Sequence, residues 1–144
     1  MNRATALLAL ASFVYALAWF LPVVSGADTF AQGRLPGWDA LLAALSPIWD
    51  PGARTEWFLI RVLSGLTNVW FLVSVAALTL WPFLSPRRLG AGLLLATLVN
   101  GSWLTNSPED LRVGYYLGLA AFPLLAVACW ASSRVPAEAT PRVA

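Results

Sequence analysis

The sequence predicts an all-α fold, in which a polytopic membrane protein forms a four-transmembrane-helix bundle with a short interfacial helix in the outer loop. Three observations predict this fold. The 144 residues are 59% apolar and only 11% charged, whereas about 25% of the residues in a soluble domain are charged. Apolar runs long enough to cross a bilayer recur along the chain, and the segments between these runs alternate between a set with net positive charge and a set with net negative charge. We therefore expect residues 1–144 to form a single membrane domain.

The first two predicted spans are residues 4–24 and 57–81. The first is about 21 residues long, enough to cross a hydrocarbon core of about 30 Å at about 1.5 Å per residue. It resembles a signal peptide with a cleavage site at Ser25-Gly26-Ala27, but it exceeds the roughly 7–15 apolar residues usual for one, so a retained helix is predicted. Pro82 follows the second span, where a helix should stop.

Two shorter spans follow in the second half of the chain. Residues 85–88 form a short charged turn, so the third span, residues 89–104, is expected to run antiparallel to the second. Its length leaves open whether it crosses the bilayer fully. The fourth span is residues 113–131, and residues 132–144 are expected to form a polar cytoplasmic tail.

Charge placement predicts the orientation of the bundle. With the N-terminus inside, the segments on the inner side carry five arginines and one acid, namely Arg3, Arg87, Arg88, Arg134, Arg142 and Glu138. The outer segments carry four arginines and six acids, namely Arg34, Arg54, Arg61, Arg112, Asp28, Asp39, Asp50, Glu56, Glu109 and Asp110. Positive charge near span ends stays in the cytoplasm. Both termini are therefore predicted to be cytoplasmic.

The residue types in the chain exclude several kinds of chemistry. Histidine is absent and Cys129 is the only cysteine, which excludes an intrachain disulfide, a CxxC redox centre and a histidine-ligated metal or haem. We expect no cofactor, no metal and no catalytic residue. The net charge of +2 gives no reason to expect nucleic acid as a partner. All nine basic residues are arginine, a bias typical of a GC-rich bacterial gene, so the expected location is a bacterial inner membrane.

The outer loop, residues 25–56, contains the interfacial helix, predicted at about residues 37–46. Six large apolar residues recur there at helical spacing and form one stripe: Trp38, Leu41, Leu42, Leu45, Ile48 and Trp49. The segment is too short to span a bilayer, so it should lie flat on the outer surface. Whether it is a lid over the bundle or only a shield for the helix ends is left open.

Polar residues inside spans two and three are the candidate functional residues, because a polar group in lipid is costly unless it faces protein or water. The candidate intramembrane polar face consists of Arg61, Ser64, Asn68, Thr97 and Asn100. At 100° per residue these positions fall on one stripe of each helix, so the two stripes should face each other. Asn68 and Asn100 are expected to approach closely. They would form interhelical hydrogen bonds or line part of a polar path.

Span four begins with a candidate helix–helix contact. Gly114 and Gly118 form a GxxxG motif, which permits close helix approach. The motif leaves open whether the approaching helix belongs to the same chain or to a partner.

These observations favour a non-enzymatic accessory or interaction subunit of a larger membrane assembly. The expected partners are the lipid bilayer and another membrane protein or a second copy of the chain. One alternative is a small transporter or channel component with a polar path between spans two and three. Another is a membrane enzyme that acts at the outer leaflet through the loop carboxylates, of which Glu109 and Asp110 are adjacent.

Overall fold

The computed structural model describes residues 2–24, 35–50, 52, 57–81, 85–106 and 108–133. This part of the chain is mostly helical, as predicted. Its helices are α1 (Arg3–Phe20), α2 (Gly37–Leu45), α3 (Phe58–Leu80), α4 (Pro86–Gly101), α5 (Trp103–Asn106) and α6 (Val113–Ser132). Part of the predicted outer loop (25–34, 51 and 53–56) lies outside the described residues, as do the candidate cleavage site, Pro82 and the tail from residue 134.

Three of the described helices, α1, α3 and α6, are long and apolar enough to cross a membrane. They have 18, 23 and 20 residues, and at about 1.5 Å per residue each covers most or all of a hydrocarbon core of about 30 Å. The chain therefore has the helices of a membrane-embedded protein.

The first helix ends at Phe20, four residues before the end of the predicted span. Pro22 restricts Leu21 to an extended conformation, and the β-branched residues Val23 and Val24 favour a strand. Strand β1 (Pro22–Val24) pairs antiparallel with β2 (Leu35–Pro36). Val24 also forms a bridge with Leu111. This small sheet, which an all-helical expectation does not include, ties the end of α1 to the start of α6.

The third predicted span, residues 89–104, is divided between two helices. Pro86 begins α4, as suits a residue with no backbone N–H to satisfy, and the helix ends after 16 residues at Gly101. The hydroxyl of Ser102 donates to the carbonyl of Val99, a local bond that competes with helix continuation. A separate turn, α5, follows. The length of α4 is about 24 Å at about 1.5 Å per residue.

Helix α6 occupies the centre of the fold, where it packs against α1 on one side and α4 on the other. Helix α3 packs on α4, and α2 lies across α3 and the end of α1. The interior of the bundle contains fully buried large side chains from three helices: Phe71, Leu93, Phe122 and Leu125. Because α2 covers one end only, that end is called the α2 end below.

Candidate functional site

A cavity of about 330 Å³ lies at the α2 end of the bundle. Helices α1, α3 and α6 form its walls, α2 forms its roof, and residues of β1, β2 and α5 complete its rim. The lining is mainly apolar, and it includes the aromatic side chains Tyr15, Trp19, Trp103, Tyr115 and Phe122. Small-molecule sites in proteins are typically concave, mainly apolar, and about 300–1,000 Å³ in volume. The cavity is at the lower end of that range.

The six residues of the predicted apolar stripe do not share one face in the structure. Leu41 lines the cavity and Leu45 packs against Gly65 of α3, whereas the other four members of the stripe are exposed, namely Trp38, Leu42, Ile48 and Trp49. The stripe therefore divides between an inner and an outer face. The alanines of α2 that line the cavity complete its inner face: Ala40, Ala43 and Ala44. Periodicity could not separate the two faces, because α2 is apolar on nearly every side.

Arg61 connects the roof to the wall of the cavity. It lies one turn into α3, is half-buried, and lines the cavity. Its guanidinium donates a hydrogen bond of 2.8 Å to the backbone carbonyl of Ala43. That carbonyl belongs to the last turn of α2, where carbonyls have no partner within the helix and a positive charge is favourable. The bond therefore holds α2 in place over the cavity.

A network of hydrogen bonds forms the floor of the cavity between α3 and α4. The hydroxyl of Ser64 donates to the side-chain carbonyl of Asn100. The side-chain amide of Asn100 donates to the hydroxyl of Thr67 at 2.6 Å and to the carbonyl of Ala96 at 3.0 Å. Buried polar groups are costly without partners, and both the oxygen and the nitrogen of the Asn100 side chain have hydrogen-bond partners. The network therefore joins the two helices where both are buried.

Two tyrosines extend this network to the helices on the other side of the cavity. The Tyr15 hydroxyl of α1 donates to the side-chain carbonyl of Asn68 at 2.8 Å, and the Tyr115 hydroxyl of α6 donates to the backbone carbonyl of Asn100. Helices α1, α3, α4 and α6 thus contribute to one continuous hydrogen-bonded floor.

The predicted polar face is only partly assembled at the cavity. Arg61, Ser64, Asn68 and Asn100 line it, whereas Thr97 does not, and its hydroxyl donates to the Leu93 carbonyl of its own helix at 2.9 Å. Asn68 and Asn100 do not bond to each other. They are connected through Ser64, whose backbone carbonyl accepts from the Asn68 amide at 2.8 Å.

Gly114 and Gly118 face α1 of the same chain. A Cβ atom at Gly114 would lie 2.8 Å from the backbone oxygens of both Leu21 and Pro22, which is closer than real Cβ atoms approach. A Cβ atom at Gly118 would lie 3.7 Å from the Ala18 Cβ, an ordinary contact. The close approach that the motif permits is therefore used within the chain, and it depends on Gly114.

Gly114→Ala is expected to destabilise the bundle by about 1–2 kcal/mol, because the added methyl group meets backbone that cannot rotate away. Gly118→Ala is the matched control and should lie within about 0.5 kcal/mol of the unmodified chain. Thermal or denaturant unfolding in detergent measures both. Equal effects of the two substitutions would contradict this account of the motif.

The carboxylates of the described residues do not converge on the cavity. Asp110 lines it, but Asp39, Asp50 and Glu109 do not. The described residues contain no group of three or more histidine, cysteine, aspartate or glutamate side chains that could hold a metal ion. Two of the predicted outer acids, Asp28 and Glu56, lie outside the described residues.

An apolar groove of about 430 Å³ lies beside the cavity, on the outer surface between α1 and α3. Its lining is almost entirely apolar and consists of Ser12, Tyr15, Ala16, Trp19, Phe20, Phe71, Leu72 and Val75. Tyr15 and Trp19 line both the groove and the cavity. Two side chains of α1 therefore form the boundary between the two spaces.

Sequence reasoning missed Tyr15, Thr67 and Tyr115 as members of the polar floor. Tyr15 carries a signal that could have found it, since it is the one tyrosine in the apolar run of the first span. A tyrosine hydroxyl usually needs a partner when it is buried. Thr67 adjoins Asn68, but its position relative to Asn100 depends on the packing of α3 on α4.

Comparison with protein-family models, with curated proteins and with solved structures finds no match to this chain. The functional assignment therefore depends on the geometry of the cavity.

Proposed function

We propose that this chain is a non-enzymatic membrane protein that binds a small amphiphilic molecule at the α2 end of its bundle. The cavity of about 330 Å³ carries this proposal, because its lining is mainly apolar while Arg61, Asn68 and Asn100 add polar groups to it. A mainly apolar pocket with a few convergent polar groups is the usual form of a ligand site. An amphiphile matches both kinds of lining.

The proposed setting is a four-span bundle in a bacterial inner membrane with both termini in the cytoplasm and α2 at the outer interface. Arg87 and Arg88 support this orientation, since both are exposed at the start of α4, the end of that helix opposite Asn100 and the cavity. Arginines near span ends remain on the cytoplasmic side. Exposed Trp38 on α2 and exposed Trp49 just after it suit the headgroup layer.

The geometry gives less support to the other two hypotheses. A transport path needs a polar crevice that continues between α3 and α4, but below the hydrogen-bonded floor the bundle is filled by Phe71, Leu93 and Leu125. An acid–base enzyme needs two carboxylates in one cleft. Asp110 is the single described acid that lines the cavity.

Filling the cavity tests the proposed function. Ala40→Phe places a ring in the cavity from the roof helix, and we expect it to remove most of the small molecule that accompanies the chain through a mild-detergent purification. Native mass spectrometry measures the fraction of protein that carries a bound mass. Leu42→Phe is the matched control, because Leu42 lies on the same helix and is 50% exposed. It should retain the bound mass.

A bound mass that Ala40→Phe leaves unchanged would overturn the proposal. Unfolding of the delipidated protein separates this result from misfolding. In the absence of ligand, Ala40→Phe should be at least as stable as the unmodified chain, since the ring fills empty space.

A second candidate function is an interaction subunit of a larger membrane assembly. The outer face of α2 and the residues just after that helix favour it, because Trp38, Leu42, Ile48 and Trp49 are exposed there, and exposed apolar patches often mark interaction sites. The same purification distinguishes the two candidates. A co-purifying polypeptide that is lost on Leu42→Glu but retained on Ala40→Phe would select the interaction subunit.

A further inference from the structure

The charged groups that line the cavity are one arginine and one aspartate. Arg61 extends from α3 and Asp110 from the turn before α6, so the two charges are on different walls. Arg112 is two residues from Asp110 but is not part of the lining. Its guanidinium donates to the carbonyls of Glu109 and Leu111. Within the described residues, the lining thus presents one positive and one negative group.

These two groups are not engaged with each other. Arg61 bonds to the carbonyl of Ala43, which uses one of the five N–H donors of a guanidinium. No ion pair forms between Arg61 and Asp110 or any other carboxylate of the described part of the chain. A half-buried charge is costly without a partner. A ligand that carries both a negative and a positive group would provide partners for both side chains.

The apolar groove indicates what the rest of the ligand is. Tyr15 and Trp19 line both spaces, so the cavity and the groove adjoin at these two rings. The groove lies between α1 and α3, which are not packed closely against each other. Its apolar lining matches a hydrocarbon chain. Head and tail would then run parallel to the lipids of the outer leaflet.

We propose that the ligand is a zwitterionic phospholipid with an amine and a phosphate in its head group. The phosphate binds the Arg61 guanidinium, the ammonium group binds the Asp110 carboxylate, and one acyl chain occupies the groove between α1 and α3. Arginine donors match phosphate oxygens well. This assignment rests on the proposed function, since it identifies the class of molecule that the cavity binds.

The test compares two lipids in the full-length chain. Protein is reconstituted in nanodiscs of equimolar phosphatidylethanolamine and phosphatidylglycerol, and native mass spectrometry gives the ratio of the two lipids bound after release. The unmodified chain is expected to favour phosphatidylethanolamine. Asp110→Asn should shift the ratio toward the anionic lipid by about tenfold or more, because the site keeps its cation and loses its anion. Arg61→Gln should weaken the binding of both lipids.

Matched controls lie close to both residues. Asp39→Asn removes an acid from α2, and Arg112→Gln removes an arginine beside Asp110, but neither residue lines the cavity. Both variants should keep the lipid ratio of the unmodified chain. The shift expected for Asp110→Asn is a gain of binding to phosphatidylglycerol, which a misfolded protein would not show.

Three results would overturn the assignment. The unmodified chain could bind phosphatidylglycerol as strongly as phosphatidylethanolamine, or the Asp110→Asn variant could leave the lipid ratio unchanged. In the third result, soluble phosphoethanolamine or inorganic phosphate stabilises the delipidated chain as much as the lipid does. The last result would show that no acyl chain is needed. If Ala40→Phe still removes the bound molecule, the proposed function survives such a failure. If Ala40→Phe removes nothing, the proposed function itself fails.

Discussion

Phe71→Ala is expected to lower the free energy of unfolding by about 3–5 kcal/mol, the largest effect of any substitution considered. The Phe71 ring is 1% exposed. It stacks on the Tyr15 ring with 3.9 Å between centroids and meets the Phe122 ring edge-on at 5.3 Å. Because α3 packs mainly on α4 and α2, these ring contacts, together with the hydrogen bond from Tyr15 to Asn68, connect α3 to α1 and α6. Their loss leaves a void that the helices cannot close fully.

The matched control for this prediction is Phe13→Ala on α1. Phe13 is 66% exposed, so its truncation should change stability by about 0.5 kcal/mol or less. Denaturant unfolding in one detergent measures both variants. Similar losses at the two positions would mean that the ring cluster does not hold α3 to α1 and α6.

Asn100→Leu is expected to lower the free energy of unfolding by about 2–3 kcal/mol. Leucine has the same branching and the same number of side-chain heavy atoms as asparagine, but it removes the acceptor for the Ser64 hydroxyl and the donor to Thr67. Interhelical hydrogen bonds in membrane proteins are worth about 0.6–1.7 kcal/mol each, and leaving a buried partner unsatisfied adds to the loss. The bundle should therefore loosen at the floor of the cavity.

The Ser64→Ala variant, combined with Asn100→Leu, tests whether the loss comes from the network. If it does, the double variant should be less destabilised than the sum of the two single variants, because both remove the same hydrogen bond. Thr97→Val is the control on α4. The Thr97 hydroxyl bonds only to its own helix at Leu93, and its removal should have little effect. Strict additivity at Ser64 and Asn100 would contradict the network.

Hydropathy was enough to find helices α1, α3 and α6, since a long apolar run in a short chain has few other solutions. The predicted ends of the helices were less accurate, because local residue chemistry sets where each helix stops. Pro22 stops α1 at Phe20, and Ser102 separates α4 from α5, and both effects are readable from residue types once the helix register is known. The pairing of β1 with β2 was not predictable, because it depends on the tertiary fold that brings Leu35 and Pro36 next to the end of α1.

The candidate site was predictable only in part. A polar residue inside an apolar run is a strong signal, and it identified Arg61, Ser64, Asn68 and Asn100. The cavity itself depends on tertiary arrangement. It exists because α2 folds back over the bundle, with small Ala40 and Ala44 on its inner face, and no periodicity distinguishes an alanine that faces a cavity from one that faces lipid.

The most direct test of the central claim is an experimental structure of the full chain, determined from protein that is kept in lipid throughout purification. The account predicts an elongated density with its head between Arg61 and Asp110 and its tail along α1 beside Tyr15 and Trp19. A cavity that is filled by side chains because α2 lies directly on α3, or that contains only water, would contradict it.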